Sequence, residues 1–129
     1  GRHVVAVARA RGHPVRALLR GGPAPDGWAA DPGVAVERVD LARPGARLDR
    51  ALQGAGAVVH AAGALSGDEA RMRRDTLDAT GALLAALPRV GRPRLVLVAS
   101  LAVYAAGRPG GRIDEASPLE PRPERRDAY

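Results

Sequence analysis

At 129 residues the chain has the length of one domain, and its 46% hydrophobic content excludes wholesale disorder. It contains no cysteine, which excludes disulfides, thiolate metal sites and cysteine nucleophiles and fits a reducing cytoplasm, and no apolar run nears the roughly 20 residues that span a bilayer. The net charge of +6 comes wholly from arginine, scattered and without interleaved aromatics, so it argues for a solvated basic surface rather than a nucleic-acid partner.

The pattern predicts a short helical face over His3 to Arg11, stopped by Gly12 with Pro14 just beyond. Val15 to Leu19 reads as a short buried strand, and Gly21 to Gly33, rich in Pro and Gly around Trp28, as a loop. Val34 to Val39 is a β-branched strand ending on Asp40, and Leu48 to Leu52 a short helix closed by Gly54 and Gly56. Ala57 to His60 is a compact apolar strand running into Ala61, Ala62 and Gly63. Asp68 to Leu87 is the longest helical pattern, stopped by Pro88, with Met72, Leu77, Leu83, Leu84 and Leu87 as core positions. Leu95 to Val98 is again a buried strand, leading into Ala99 and Ser100, and Arg108 to Asp127 reads as a long surface excursion.

Short apolar strands alternating with helices predict an α/β fold with a parallel sheet covered on both faces. Right-handed crossovers put the strand C-termini along one edge, where ligands bind. Arg20, Asp40, His60 and Ser100 each end or follow a strand, so candidate chemistry converges there. Asp114 and Glu115 are paired only in sequence, and His3, His13 and His60 have no metal-ligand spacing.

Several passages, in order and across nearly the whole chain, resemble the extended short-chain dehydrogenase/reductase superfamily, the epimerase/dehydratase family. GRHVVAVARARGHPVRALLR is similar to its first helix and second strand, with Gly1 on the last glycine of the GxxGxxG turn. VERVDL resembles the strand ending on an adenine-contacting Asp, AVVHAAG the fourth strand and its cofactor-side turn, and RLVLVASLAVY the fifth strand with its active-site Ser. IDEASPLEPRP resembles the loop before the catalytic YxxxK helix, with Tyr129 on its Tyr.

The resemblance implies a doubly wound, Rossmann-like sheet, incomplete, with the first strand and the C-terminal substrate region missing. Residues 1–107 would be a partial NAD(P)-binding domain, and 108–129 a surface loop leading to the catalytic Tyr helix. It implies hydride transfer on an alcohol or carbonyl substrate, a sugar nucleotide among the candidates. Ser100 would orient the substrate oxygen, and Tyr129 would exchange a proton with it. A phenol with a pKa of about 10 needs help toward ionisation, which the family's Lys, four residues past the Tyr, supplies.

On the cofactor side the resemblance implies Gly1 at the pyrophosphate, and Asp40 with Leu41 at the adenine. Ala61, Ala62 and Gly63 would let backbone approach the nicotinamide ribose, His60 would stand beside the cofactor in a structural or supporting role, and Ala99 would lie next to Ser100. Arg20, after the second strand, could neutralise a 2′-phosphate, which favours NADP over NAD. A Thr (Thr76) stands where the family usually has an Asn, and Ala105 where it has a Gly, so any Asn-dependent proton relay is in doubt. The implied partners are a small-molecule substrate and a second copy in a homodimer, with neither nucleic acid nor membrane. A non-catalytic NAD(P) sensor or scaffold of the same fold is the competing reading.

In the strand order 3-2-1-4-5 the first strand lies between the second and fourth. A chain starting after it leaves the strands at Val15 and Val58 with unpaired central edges. Such a piece is expected to fold poorly or oligomerise, to bind cofactor weakly and to be inactive by itself.

Overall fold

The structure, a computed structural model, describes residues 1–64, 66–105 and 111–123. Helix α1 (Arg2–Ala10) is followed by strands β1 (Val15–Leu19) and β2 (Val34–Arg38), then helix α2 (Gly45–Leu52) and strand β3 (Ala57–His60). A helical run of three geometries comes next: α3 (Glu69–Met72), a π-helical stretch (Arg73–Asp78) and α4 (Ala79–Ala86). A 3-10 turn (Leu87–Val90) leads to β4 (Arg94–Leu97), and a second 3-10 turn (Leu101–Val103) follows that strand. Every strand and helix expected from the sequence is present, with ends shifted by a few residues.

Local chemistry accounts for the boundaries. Gly12 takes a left-handed φ of 78° just past α1, a conformation that costs a side chain but not glycine. Asp68 caps α3 by accepting from the Arg71 backbone N–H at 2.8 Å. Pro88 does not stop the long helix outright. It sits in the first positions of the 3-10 turn, where its missing N–H costs nothing, and Gly91 (φ 93°) ends the run.

The strands form two parallel pairs, β1 with β2 (Val15 opposite Val34) and β3 with β4 (Ala57 opposite Arg94). Among the described residues neither β1 nor β3 pairs on its other edge, as the expected strand order requires. One core nonetheless serves both pairs. Leu48, Ala51 and Leu52 of α2 pack with Leu83, Ala86, Leu87 and Val90, and Leu18, Val58 and Leu95 reach the same cluster from β1, β3 and β4.

Two expectations about burial need correction. The sheet is not covered on both faces among the described residues: Val59 and its partner Val96 stand 43% and 45% exposed, and Leu97 and Val98 are exposed as well. Of the five expected core positions in the long helix, Met72, Leu83 and Leu87 are buried, but Leu77 and Leu84 are exposed. Those two leucines lie seven apart, so they share a helix face distinct from the one that Met72, Asp75, Ala79 and Leu83 turn inward. The surface excursion is described over 111–123, where Leu119 bridges back to Tyr104 in antiparallel fashion.

The β1–β2 connection is pinned rather than loose. Arg9 of α1 grips Asp31 through two contacts of 2.9 and 3.0 Å, and Asp31 also accepts from the Gly33 N–H at 2.8 Å. A Cβ on Gly33 would overlap the Arg9 guanidinium, so a side chain there would have to push the tip of Arg9 away from Asp31.

Candidate functional site

Because all four strands are parallel within their pairs, the segments that follow them gather the predicted site residues. Arg20 directly follows β1. Asp40 and Leu41 come just after β2, His60 closes β3, and Ala99 and Ser100 follow β4. Gly1 is the N-terminal cap residue of α1, and its carbonyl accepts from the Val5 N–H at 3.2 Å. Tyr129 lies outside the described residues.

The ends of β1 and β2 carry charge. A groove of about 510 Å³ is lined by Arg20, Arg38, Asp40, Arg43 and the first turn of α2. Asp40 uses one carboxylate oxygen to accept from the Ala42 N–H at 3.0 Å, an Asx turn that fixes the chain leaving β2. Leu41 packs partly against the common core, which ties its position to folding as well as to any ligand.

Arg20 does not project freely into this groove. Its Nη1 lies 2.6 Å from Oδ1 of Asp75, on the π-helical stretch, and Arg74 meets the same carboxylate at 2.9 Å with Arg71 at 3.6 Å. The hydrogen bonds from Arg20 and Arg74 hold the Asp75 carboxyl down at about 2, against an ordinary 3.8. The sequence reading passed over Asp75, although a signal was there. It falls on the same inward face as Met72, Ala79 and Leu83, where a carboxylate needs a cationic partner. The π geometry, common at functional sites, left no trace in composition or periodicity.

The ends of β3 and β4 are neutral. His60 is only 3% exposed, and its Nε2 lies 2.9 Å from the Thr80 hydroxyl oxygen. Thr80 spends its single proton on the Thr76 carbonyl at 2.6 Å. A hydroxyl has one proton to give, so Nε2 of His60 must be the donor in this pair, which fixes the tautomer. Burial pushes the imidazole pKa below its usual 6.5 and keeps the ring neutral. This arrangement supports a structural role for His60 behind the turn, and it makes Thr80 and Thr76 parts of the same assembly.

The Thr76 hydroxyl in turn accepts from the Ala64 N–H at 3.1 Å, holding the Ala61–Ala64 turn against the helix. Ala61, Ala62 and Gly63 are exposed, so their backbone is open to an approaching ligand. Thr76, where the resembled family has Asn, therefore acts here as a clamp on that turn. Ser100 caps the 3-10 turn after β4 by accepting from the Ala102 N–H at 3.1 Å. Its hydroxyl proton is not consumed by that bond.

The NAD(P)H-binding family model matches residues 1–121, so the chain belongs to that family. Solved structures of extended short-chain dehydrogenases share its fold. MoeE5 in complex with UDP-glucose and NAD superposes with a TM-score of 0.77 at 26% identity, covering 94% of this chain and 39% of that one. DesIV, a dTDP-glucose 4,6-dehydratase from Streptomyces venezuelae with NAD bound, gives 0.78 at 27% identity, over 95% and 42%. Glucuronic acid dehydrogenase from Chromohalobacter salexigens, at 20% identity and a TM-score of 0.77, shares the fold over 94% and 44%. The chain thus spans about two fifths of the length of these structures. A sequence comparison with curated proteins finds no match.

The expected lean toward NADP rested on a free Arg20. That guanidinium is committed to Asp75, and the two nucleotide-bound structures just described carry NAD. Among the described residues no helix is long and apolar enough to cross a membrane.

Proposed function

We propose that the protein carrying this chain is an NAD(P)-dependent oxidoreductase or epimerase/dehydratase acting on an alcohol or carbonyl carbon of a sugar-nucleotide substrate. The observation that carries this reading is the division of the strand ends. Charged groups (Arg20, Asp40) follow β1 and β2, and an open, small-residue turn with a serine follows β3 and β4. That division suits a dinucleotide whose adenosine is recognised by polar groups and whose nicotinamide needs close backbone approach.

The residues present fit such a cofactor. Gly1 at the head of α1, Asp40 and Leu41 after β2, and the exposed Ala61, Ala62 and Gly63 would hold it. When bound, a nicotinamide supplies a hydride donor or acceptor. Ala61 to Gly63 give it room through the absence of side chains, and Thr76 and Thr80 keep that turn and His60 in place. Ser100 donates its free hydroxyl proton toward the substrate oxygen, and Tyr129 exchanges a proton with it. A second copy of the chain would cover the exposed Leu77 and Leu84 face.

The test follows nicotinamide absorbance, for net oxidation or reduction, and sugar product by chromatography, for epimerase or dehydratase cycles that return the hydride, in the full-length protein against UDP- and dTDP-sugars. Ser100→Ala and Tyr129→Phe should each lower kcat by about 100-fold or more, with the cofactor still bound. Tight cofactor binding with no conversion of any sugar nucleotide would favour a sensor.

A further inference from the structure

The Arg20–Asp75 pair, at 2.6 Å, is the shortest ion pair among the described residues, and the proposed reaction does not use it. Arg20 lines the groove after β1 and β2, where the adenosine half of a dinucleotide would sit, yet its guanidinium turns to a carboxylate on the helix that follows β3. The Asp75 side chain is 6% exposed while that of Arg20 is 52% exposed. The carboxylate is therefore the fixed partner, and the arginine the one a ligand could draw away.

We propose that Asp75 is a specificity-determining residue: by holding Arg20 it withholds the cation a 2′-phosphate would need, and so selects NAD over NADP. This rests on the dinucleotide-binding reading given above. A 2′-hydroxyl makes no demand on Arg20, so NAD can bind with the pair intact. A 2′-phosphate is a dianion near physiological pH and would have to break a short, charge-assisted contact to recruit Arg20. It would also face two carboxylates, Asp75 and the nearby Asp40, the latter fixed by its Asx turn. Asp75 would still hold Arg74 and Arg71, so releasing Arg20 does not leave it without a cation.

Other arginines could serve a phosphate in place of Arg20. Arg38 donates to the Gly21 carbonyl at 3.4 Å, and Arg43 lines the same groove. The test must therefore show that any gain runs through Arg20.

Dissociation constants for NAD and NADP are measured by calorimetry on the full-length protein and on D75N, R20Q and the double variant, each checked for folding by circular dichroism. Wild type should bind NAD at least about ten-fold more tightly than NADP, and D75N should move that ratio toward NADP by about ten-fold, the scale of one charge-assisted contact. The double variant should lose the gain, and R20Q alone should change the ratio by less than about three-fold. R20Q carries the test if D75N does not fold, because a ten-fold loss of NADP binding in R20Q would mean that Arg20 already serves the phosphate. An unchanged ratio in folded D75N, or a gain that survives without Arg20, overturns the proposal while leaving dinucleotide binding intact. Absence of binding for both nucleotides in wild type overturns the dinucleotide reading and this inference with it.

Discussion

The two strand pairs have the same parallel geometry and opposite chemistry at their C-terminal ends. After β1 and β2 come Arg20 and Asp40, with Arg38 close by, and Arg20 reaches across to a buried carboxylate. After β3 and β4 come a neutral histidine, a run of Ala and Gly, and a serine whose oxygen caps a turn. The first end is held by ion pairs among long side chains, the second by short hydroxyl and backbone hydrogen bonds. The difference shows how one repeated unit can present a charge-reading surface beside a close-approach surface. Packing underneath is common to both, and only the residues just beyond each strand diverge.

If the core is truly common, damage to it should act on both pairs together, and this is the largest effect expected. Leu83 is 2% exposed and sits in the cluster that touches β1, β3 and β4. Leu83→Ala should cost about 3 kcal/mol in denaturant unfolding. Trp28, in the β1–β2 connection, reports on the first pair, while circular dichroism reports on the whole. The two probes should shift together, and separated midpoints would show that the pairs unfold independently.

A smaller effect should be confined to the neutral end. Thr80→Val keeps the shape but leaves the buried His60 Nε2–H without its acceptor. The cost should be about 2 kcal/mol, the penalty for an orphaned buried donor. The Ala64 N–H bond to Thr76 should survive, so amide exchange at Ala64 should change less than exchange near His60. Equal deprotection at both would mean that Thr76 and Thr80 form one unit rather than two successive contacts.

Much of this was legible in the sequence, for identifiable reasons. Strands such as Val15–Leu19 and Ala57–His60 are short apolar runs bounded by Gly or Pro, and both form as expected. The site residues after each strand were legible because chain order fixes where strand ends lie. Pairings made by long side chains were not. Nothing local says that Arg20 will meet Asp75, because that contact depends on a crossover and on a π-helical stretch with no compositional mark. Exposure of Leu77 and Leu84 escaped the reading because the long helix is apolar on more than one side, and apolar periodicity alone does not say which side is packed. The caps made by Ser100 and Asp40 sit at strand ends, where a short polar side chain suits a backbone turn as well as chemistry, so residue type alone does not separate the two roles.

The smallest effect separates the two ends by pH. Both His60 and Asp75 have folded pKa values below their unfolded ones, so each contributes stability that is lost as pH falls, but in different windows. For His60 the unfolded chain takes up a proton below about 6.5 while the buried ring resists. Its contribution is complete above 6.5, declines as pH drops beneath that value and is lost once pH passes the lower folded value. For Asp75 the contribution is complete above 3.8 and disappears as pH falls through about 2, when protonation releases Arg20 and Arg74. Thermal melts from pH 8 to pH 2 should therefore show a shallow decline beginning near 6.5 and a separate one below 3.8. D75N should shrink the acid limb, to which Asp31 and Asp49, held down by Arg9 and Arg89, also contribute, and leave the upper one in place, whereas His60→Gln should remove the upper limb alone. If D75N instead removed the upper limb, the charged and neutral ends would be coupled through the π-helical stretch, and the division between the two strand pairs would not hold.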